Sequence, residues 1–152
     1  MYNTRNSDAI AAALLDLTGC LNSPRQDDVL LRAAGVSLDR ALFPLLVRLS
    51  HAGGMSVAML AEHVGRDAST VSRQLGKLEE LGLVKRLAAK ADMRVREATI
   101  TKSGARTVAA ITQARRKLLG EMLKSWSASE CELFPKLVQR LADSMKEKQT
   151  SV

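Results

Sequence analysis

The sequence contains few aromatic residues: one Trp, one Tyr and two Phe among 152 residues, or 3%. Proteins that bind single-stranded nucleic acid stack the bases on aromatic side chains, so this composition disfavours a single strand as partner. RNA is disfavoured for the same reason, because its sequence-specific recognition relies on stacking of unpaired bases. If the chain binds a nucleic acid, we therefore expect duplex DNA.

Cysteine and histidine are also scarce, with two of each. Cys20 and Cys131 lie far apart and form no CxxC motif, which argues against a disulfide framework and predicts a reducing, cytoplasmic location. His51 and His63 lack the spacing of metal ligands. The chain has no Gly-rich phosphate loop, nucleophile elbow or zinc signature. We therefore predict neither a cofactor nor enzymatic activity.

Long apolar runs are missing as well. No stretch approaches the roughly 20 residues that cross a bilayer, and residues 1–8 lack the apolar core of a secretion signal. What the chain has instead is positive charge: 23 Lys and Arg against 16 Asp and Glu, a net charge of +7. Such a balance favours a polyanionic partner, with nucleic acid first and an anionic membrane surface second.

Residues 67–82 predict an amphipathic helix that Asp67 caps and Gly82 ends. Its apolar face consists of Val71, Leu75, Leu78 and Leu81. The opposite face carries hydroxyls, an amide and cations, from Ser69, Thr70, Arg73, Gln74 and Lys77. Such a face suits the major groove of DNA, because hydroxyls and amides reach base edges, Arg pairs with guanine and Lys contacts phosphate. The alternative is the solvated face of an ordinary surface helix.

The residues on either side favour the DNA-binding interpretation. Ser56 predicts the cap of a short helix over 57–64, and a turn at 65–66 leads into the amphipathic helix, which together make a helix-turn-helix. Residues 83–87 and 97–101 then predict two strands joined by a basic tip. The cations Lys90, Arg94 and Arg96 make this hairpin a candidate wing that inserts Arg into a minor groove.

The remaining segments predict further helices. They cover about residues 7–21, 24–34, 39–50, 103–125 and 128–145. Pro44 lies inside the third, so we expect either a bend there or a later start. The apolar stripes of the terminal helices are broader than one contact face requires, which predicts a two-fold dimer that buries them against a second copy.

We therefore predict a mainly α fold with a small β-hairpin wing. N-terminal dimerisation helices cover residues 1–36, a winged helix-turn-helix DNA-binding domain covers 37–104, and C-terminal dimerisation helices cover 105–152. The dimer would place two recognition helices in successive major grooves of a near-palindromic site.

These residues resemble the MarR family of bacterial transcription regulators. The similarity is carried by SVAMLAEHVG at 56–65, DASTVSRQLGKLEELGLVKR at 67–86, DMRVR at 92–96 and ITKSG at 100–104. The resemblance covers roughly residues 38–104 and depends on the order and spacing of these motifs together. It implies a homodimer with one winged helix per subunit, usually acting as a repressor.

The resemblance also implies roles for individual residues. The major-groove set becomes Ser69, Thr70, Ser72, Arg73, Gln74 and Lys77. In the wing, Arg94 would reach the minor groove, Asp92 would orient it through an ion pair, and Arg96 would contact the backbone. Many members release DNA when a small, often aromatic, compound binds between the dimerisation and DNA-binding parts. This chain departs from the pattern in Pro44 and in having few aromatic residues to line such a pocket.

Two alternatives remain open. Some members sense oxidants through a cysteine in the first helix, and Cys20 lies near the end of that helix. A reactive thiol needs exposure and a nearby positive charge, whereas Cys20 lies in an apolar stretch, so we expect a buried, inert thiol. The second alternative is a winged helix that only docks proteins, which would have no need of Arg94 and Arg96.

Overall fold

The computed structural model describes residues 3–88 and 91–150, and in these ranges the fold is mainly α with a small sheet, as predicted. Its elements are α1 (Thr4–Leu21), α2 (Pro24–Ala34), α3 (Phe43–Ala52), β1 (Met55–Ser56), α4 (Val57–Val64), α5 (Ala68–Glu80), β2 (Val84–Ala88), β3 (Arg96–Ile100), α6 (Lys102–Met122) and α7 (Ala128–Thr150). The chain divides into two compact units, the first extending to Arg115 and the second beginning at Arg116.

The helix that contains Pro44 starts later than Asp39, which is one of the two outcomes predicted for it. It begins at Phe43, so that Pro44 lies in the first turn, where no backbone N–H is needed. Asp39 forms a turn ahead of the helix instead. Its side chain accepts a hydrogen bond from the Ala41 N–H at 2.8 Å, and its carbonyl accepts one from the Leu42 N–H at 2.9 Å.

The sheet has three antiparallel strands in the order β1-β3-β2. Both predicted wing strands exist, but each is displaced by one residue toward the wing tip. Arg96, which the sequence placed in the tip, is therefore the first residue of β3 and pairs with Ala88. The sequence did not predict β1, because two residues are too few to show a strand's alternation.

The core of the first unit contains nearly all of the apolar face of α5. Val71, Leu75 and Leu78 are fully buried among leucines of α3 and α4. Leu81, predicted to share this face, is 55% exposed. It follows the last helical residue, and the chain then turns at Gly82, whose φ of +73° ends the helix.

The start of α6 is held against the segment between α5 and β2. The Thr101 hydroxyl donates to the Gly82 carbonyl at 2.6 Å and accepts from the Gly104 N–H at 3.1 Å, while the Thr101 N–H donates to the Leu83 carbonyl. Gly104 is packed so closely that a Cβ there would lie 2.1 Å from the Leu83 oxygen. Only glycine permits this approach.

The terminal helices expose their apolar faces. Neither α1 nor α7 contains a buried residue. The exposed apolar side chains include Ile10, Leu14 and Leu17 in α1 and Leu133, Leu137 and Leu141 in α7. In the part of the chain that the structure describes, no helix combines the length and apolar character needed to cross a membrane.

Cys20 is exposed in α1, as is Cys131 in α7. The expectation of a buried Cys20 is therefore wrong for the single chain, because α1 packs no side chain into the core. Redox sensing through Cys20 stays a prediction.

The contact at Gly104 yields a test of the fold. Gly104→Ala should lower the free energy of unfolding by about 1–3 kcal/mol, because the methyl group must displace the Leu83 backbone. Urea denaturation measures the change. Gly76→Ala is the matched control, since a Cβ there meets no described atom within 4 Å. It should stabilise α5 by about 0.5–1 kcal/mol. Equal stability of the two variants would contradict the close packing at Gly104.

Candidate nucleic-acid interface

The first turn of α5 is organised by the carboxylate of Asp67. Its Oδ2 accepts hydrogen bonds from the Ser69 hydroxyl at 2.5 Å and from the Thr70 N–H at 3.0 Å. The Thr70 hydroxyl donates to both carboxylate oxygens, at 2.8 and 2.9 Å. The predicted cap is therefore confirmed, and it also involves two hydroxyls that the sequence assigned to the major groove.

These hydrogen bonds change the acidity of Asp67. The Ser69 hydroxyl, then the Thr70 N–H and hydroxyl, hold the pKa of the Asp67 carboxyl well below its ordinary value of 3.8. The carboxyl is thus ionised at neutral pH and acts as a hydrogen-bond acceptor only.

The cations of the outward face follow this turn. Arg73 and Lys77 are exposed, one helical turn apart. The Arg73 Nη2 donates to the Thr70 hydroxyl oxygen at 3.3 Å, which links the guanidinium to the cap. Among the described residues, neither cation has a carboxylate within ion-pair distance. Both charges are therefore available to a partner.

Gln74 and Ser72 are only partly exposed, and arginines from outside the helix bind the side chain of Gln74 and the backbone carbonyl of Ser72. The Arg66 Nη1 donates to the Gln74 Oε1 at 2.9 Å and to the Ala41 carbonyl at 2.7 Å. One lone pair of the Gln74 amide oxygen is thus used within the fold. Its second lone pair and its NH₂ group remain for a base.

Arg86 holds β2 against the same helix. Its Nη2 donates to the Ser72 carbonyl at 2.7 Å, and its Nε lies 3.4 Å from the Glu79 Oε2, an ion pair without hydrogen-bond geometry. Sequence analysis missed both Arg66 and Arg86. Each lies in a turn or strand distant from its partner in sequence, and no periodic signal marks such a contact.

The wing presents its arginine to solvent. The Arg94 Nε lies 3.3 Å from the Asp92 Oδ1, as the predicted ion pair requires, and the Arg94 side chain is 91% exposed. Such an exposed pair is weak, so the stronger constraint is the turn in which the Arg94 N–H donates to the same oxygen at 3.0 Å. Arg96 is exposed at the start of β3, and Lys90 lies outside the described residues.

The site thus combines a cationic helix face with an exposed wing arginine in one compact unit, a combination suited to duplex DNA.

Comparisons with known proteins show which family the chain is similar to. A sequence profile describing the MarR family matches residues 38–96. The uncharacterised HTH-type transcriptional regulator YxaD of Bacillus subtilis is 40% identical over 105 residues, which cover 69% of this chain and 73% of YxaD.

Solved structures show the same fold. A MarR family protein from Bacillus stearothermophilus superposes with a TM-score of 0.82 at 20% identity, covering 96% of this chain and 99% of its own. The transcriptional regulator BldR from Sulfolobus solfataricus gives a TM-score of 0.67 at 23% identity, covering 94% and 99%. At these identities the likeness concerns the fold.

The lowered pKa of Asp67 predicts an acid-sensitive helix cap. A carboxyl group whose pKa is lower in the folded than in the unfolded protein stabilises the fold. Its contribution is complete above the unfolded-state pKa near 3.8 and is lost as the pH falls through the folded-state pKa. The difference in urea midpoint between wild type and Asp67→Ala should therefore narrow from about pH 5 to about pH 2.

Ser56→Ala provides the matched control for this prediction. The Ser56 hydroxyl caps α4 by accepting from the Met59 N–H at 3.2 Å and does not titrate in this range. The difference in urea midpoint between wild type and Ser56→Ala should therefore stay constant with pH. If both variants respond to acid in the same way, the ionised cap is not the cause.

Proposed function

The chain belongs to the MarR family, and from that premise we propose that it is a homodimeric regulator of transcription that binds a near-palindromic site in duplex DNA. The observation that carries the proposal is the outward face of α5, where Arg73 and Lys77 are exposed with no described carboxylate paired to them and Arg73 is linked to the Asp67 cap through Thr70. The face would enter the major groove, with Ser69, Thr70, Ser72 and Gln74 beside the cations, and Arg94 would enter the adjacent minor groove.

The homodimer is supported by the exposed apolar faces of α1 and α7. Exposed apolar residues are ordinary when scattered, but contiguous stripes on whole helices mark an interaction surface. A second copy offers the same stripes, and closed two-fold symmetry is the commonest arrangement of soluble oligomers. On this basis residues 1–36 and 105–152 would supply the dimerisation helices and residues 37–104 the DNA-binding domain.

We also propose that the protein represses transcription and that a small molecule releases it from DNA. An open cleft of about 480 Å³ lies at the end of α2, lined by Asp28, Leu31, Arg32 and residues 35–38. The chain that lines the cleft runs on into the turn at Asp39, where the Ala41 carbonyl accepts from Arg66, and Arg66 also donates to Gln74 of α5. Movement of the cleft wall would therefore act on the recognition helix.

DNA binding is tested by two neighbouring substitutions on α5. Arg73→Ala should weaken binding to the preferred duplex by about 1–3 kcal/mol and relax the base preference at one position in each half-site, because alanine cannot form the bidentate hydrogen bonds to guanine. Fluorescence anisotropy with the selected duplex and with a random duplex measures both effects.

Lys77→Ala is the matched control, because it removes one exposed cation from the same face without removing a bidentate donor. It should weaken the selected and random duplexes alike and reduce the salt slope by about two units, because the dimer no longer neutralises two phosphates, one per subunit. If the Arg73→Ala variant discriminates between the selected and random duplexes as well as wild type does, the proposed placement of α5 in the major groove is wrong.

The dimer is tested by a charge placed in the apolar stripe of α7. Leu137 lies between Leu133 and Leu141 at helical spacing and is 47% exposed, so Leu137→Glu should dissociate a dimer that buries it. Light scattering should give twice the 16.5 kDa subunit mass for wild type and about the subunit mass for the variant. Gln139→Glu, on the other side of the same helix, should remain dimeric. A monomeric wild type would refute the assembly.

A further inference from the structure

We propose that Asp67 determines which bases the start of α5 reads, by making the hydroxyls of Ser69 and Thr70 act only as hydrogen-bond acceptors. The inference rests on the proposed binding of duplex DNA and adds a positioning residue to it. Asp67 would act through the two hydroxyls and need not touch a base itself.

The direction of these hydrogen bonds follows from the chemistry of the carboxylate. An ionised carboxylate has no proton to give, so in each contact with Asp67 the hydroxyl must be the donor. The Ser69 contact of 2.5 Å is at the short end for a hydroxyl bound to a charged oxygen, which marks it as strong. The Thr70 hydroxyl lies within 2.9 Å of both oxygens. Both hydroxyl protons therefore point at Asp67.

A partner can therefore bind these two hydroxyls only through the lone pairs of their oxygens. A hydroxyl has one proton and two acceptor positions, so Ser69 keeps both positions. Thr70 keeps one, because its oxygen already accepts from the Arg73 Nη2 at 3.3 Å. Neither hydroxyl can donate to a phosphate oxygen without breaking its bond to Asp67. This excludes for both the common role of Ser and Thr as phosphate contacts.

Each base pair presents, in the major groove, one amino group that can donate to such oxygens. It is the N6 amino group of adenine or the N4 amino group of cytosine, whereas guanine and thymine present acceptors at the corresponding positions. The bases opposite Ser69 and Thr70 should therefore be adenine or cytosine. Arg73, held against Thr70, would read guanine or another acceptor beside them.

Asp67→Asn tests this inference while keeping the cap. Asparagine caps helices as well as aspartate does, but its NH₂ group donates to one hydroxyl and turns that proton outward. Duplexes would be selected from a random pool by wild type and by the variant. We expect the preference for adenine or cytosine at one or two positions per half-site to fall by about three- to tenfold, the effect of one hydrogen bond.

Base analogues then test whether the amino group of the base is the atom group that the hydroxyls contact. In the wild-type site, purine in place of adenine removes the N6 amino group and should weaken binding by about three- to tenfold, whereas 7-deazaadenine keeps that group and should bind nearly as adenine does. A site with cytosine at these positions would be tested with a base that lacks the N4 amino group. Asp67→Asn should lose the response to the missing amino group.

Two further results separate this inference from the proposed function. Ser56→Asn exchanges the cap of α4 and should leave the base profile unchanged, since the Ser56 hydroxyl serves the Met59 N–H alone among the described contacts. Identical base profiles for wild type and a folded Asp67→Asn variant would overturn the role of Asp67 and leave DNA binding intact. A wild type that prefers no duplex would overturn the DNA-binding proposal itself.

Discussion

The burial of one face of α5 is the constraint on which the proposed interface depends. Val71, Leu75 and Leu78 are fully buried, and each such side chain contributes about 1.5–3 kcal/mol through its removal from water. Rotating the helix by one residue, about 100°, would expose part of this stripe. The direction of the opposite face is therefore a consequence of core packing, and Ser69, Arg73 and Lys77 point away from the core for that reason. The face proposed to bind DNA is thus oriented by buried residues that would make no contact with DNA.

Burial sets the rotation of α5, while hydrogen bonds set its position along the fold. Arg66 joins it to the turn before α3, and Arg86 joins it to β2. The close approach of Gly104 to the Leu83 carbonyl holds the start of α6 against the segment between α5 and β2. α5 and the strands that follow it are thus held by contacts that tolerate little displacement, since a hydrogen bond weakens steeply with distance and angle. Such rigidity would suit the proposed surface, which would have to match DNA over several base pairs at once.

The sequence predicted those features whose causes are local. The caps at Asp67 and Ser56, the glycine stops and the helix period each arise within about four residues, and the structure confirms them. It did not predict features that depend on distant partners. β1 exists because Met55 pairs with Ala98, and Arg66 and Arg86 bind atoms that lie 8 to 25 positions away. The prediction that Leu81 shares the buried face was wrong for a different reason. The apolar spacing of the sequence extends to Leu81, whereas the helix ends one residue earlier.

Ser69 and Thr70 show why the position of a side chain on a helix face does not reveal its hydrogen-bond chemistry. In the sequence they are hydroxyls that could donate or accept, and only the contacts with Asp67 settle where their protons lie. The carboxylate stabilises the start of α5, where the helix dipole favours negative charge. In a complex with α5 in the major groove, however, that charge would lie close to the DNA phosphates. A serine or asparagine cap would satisfy the same N–H without the repulsion. The carboxylate also differs from these caps in being unable to donate, and fixing the direction of the two hydroxyls is a use of that property that the geometry provides.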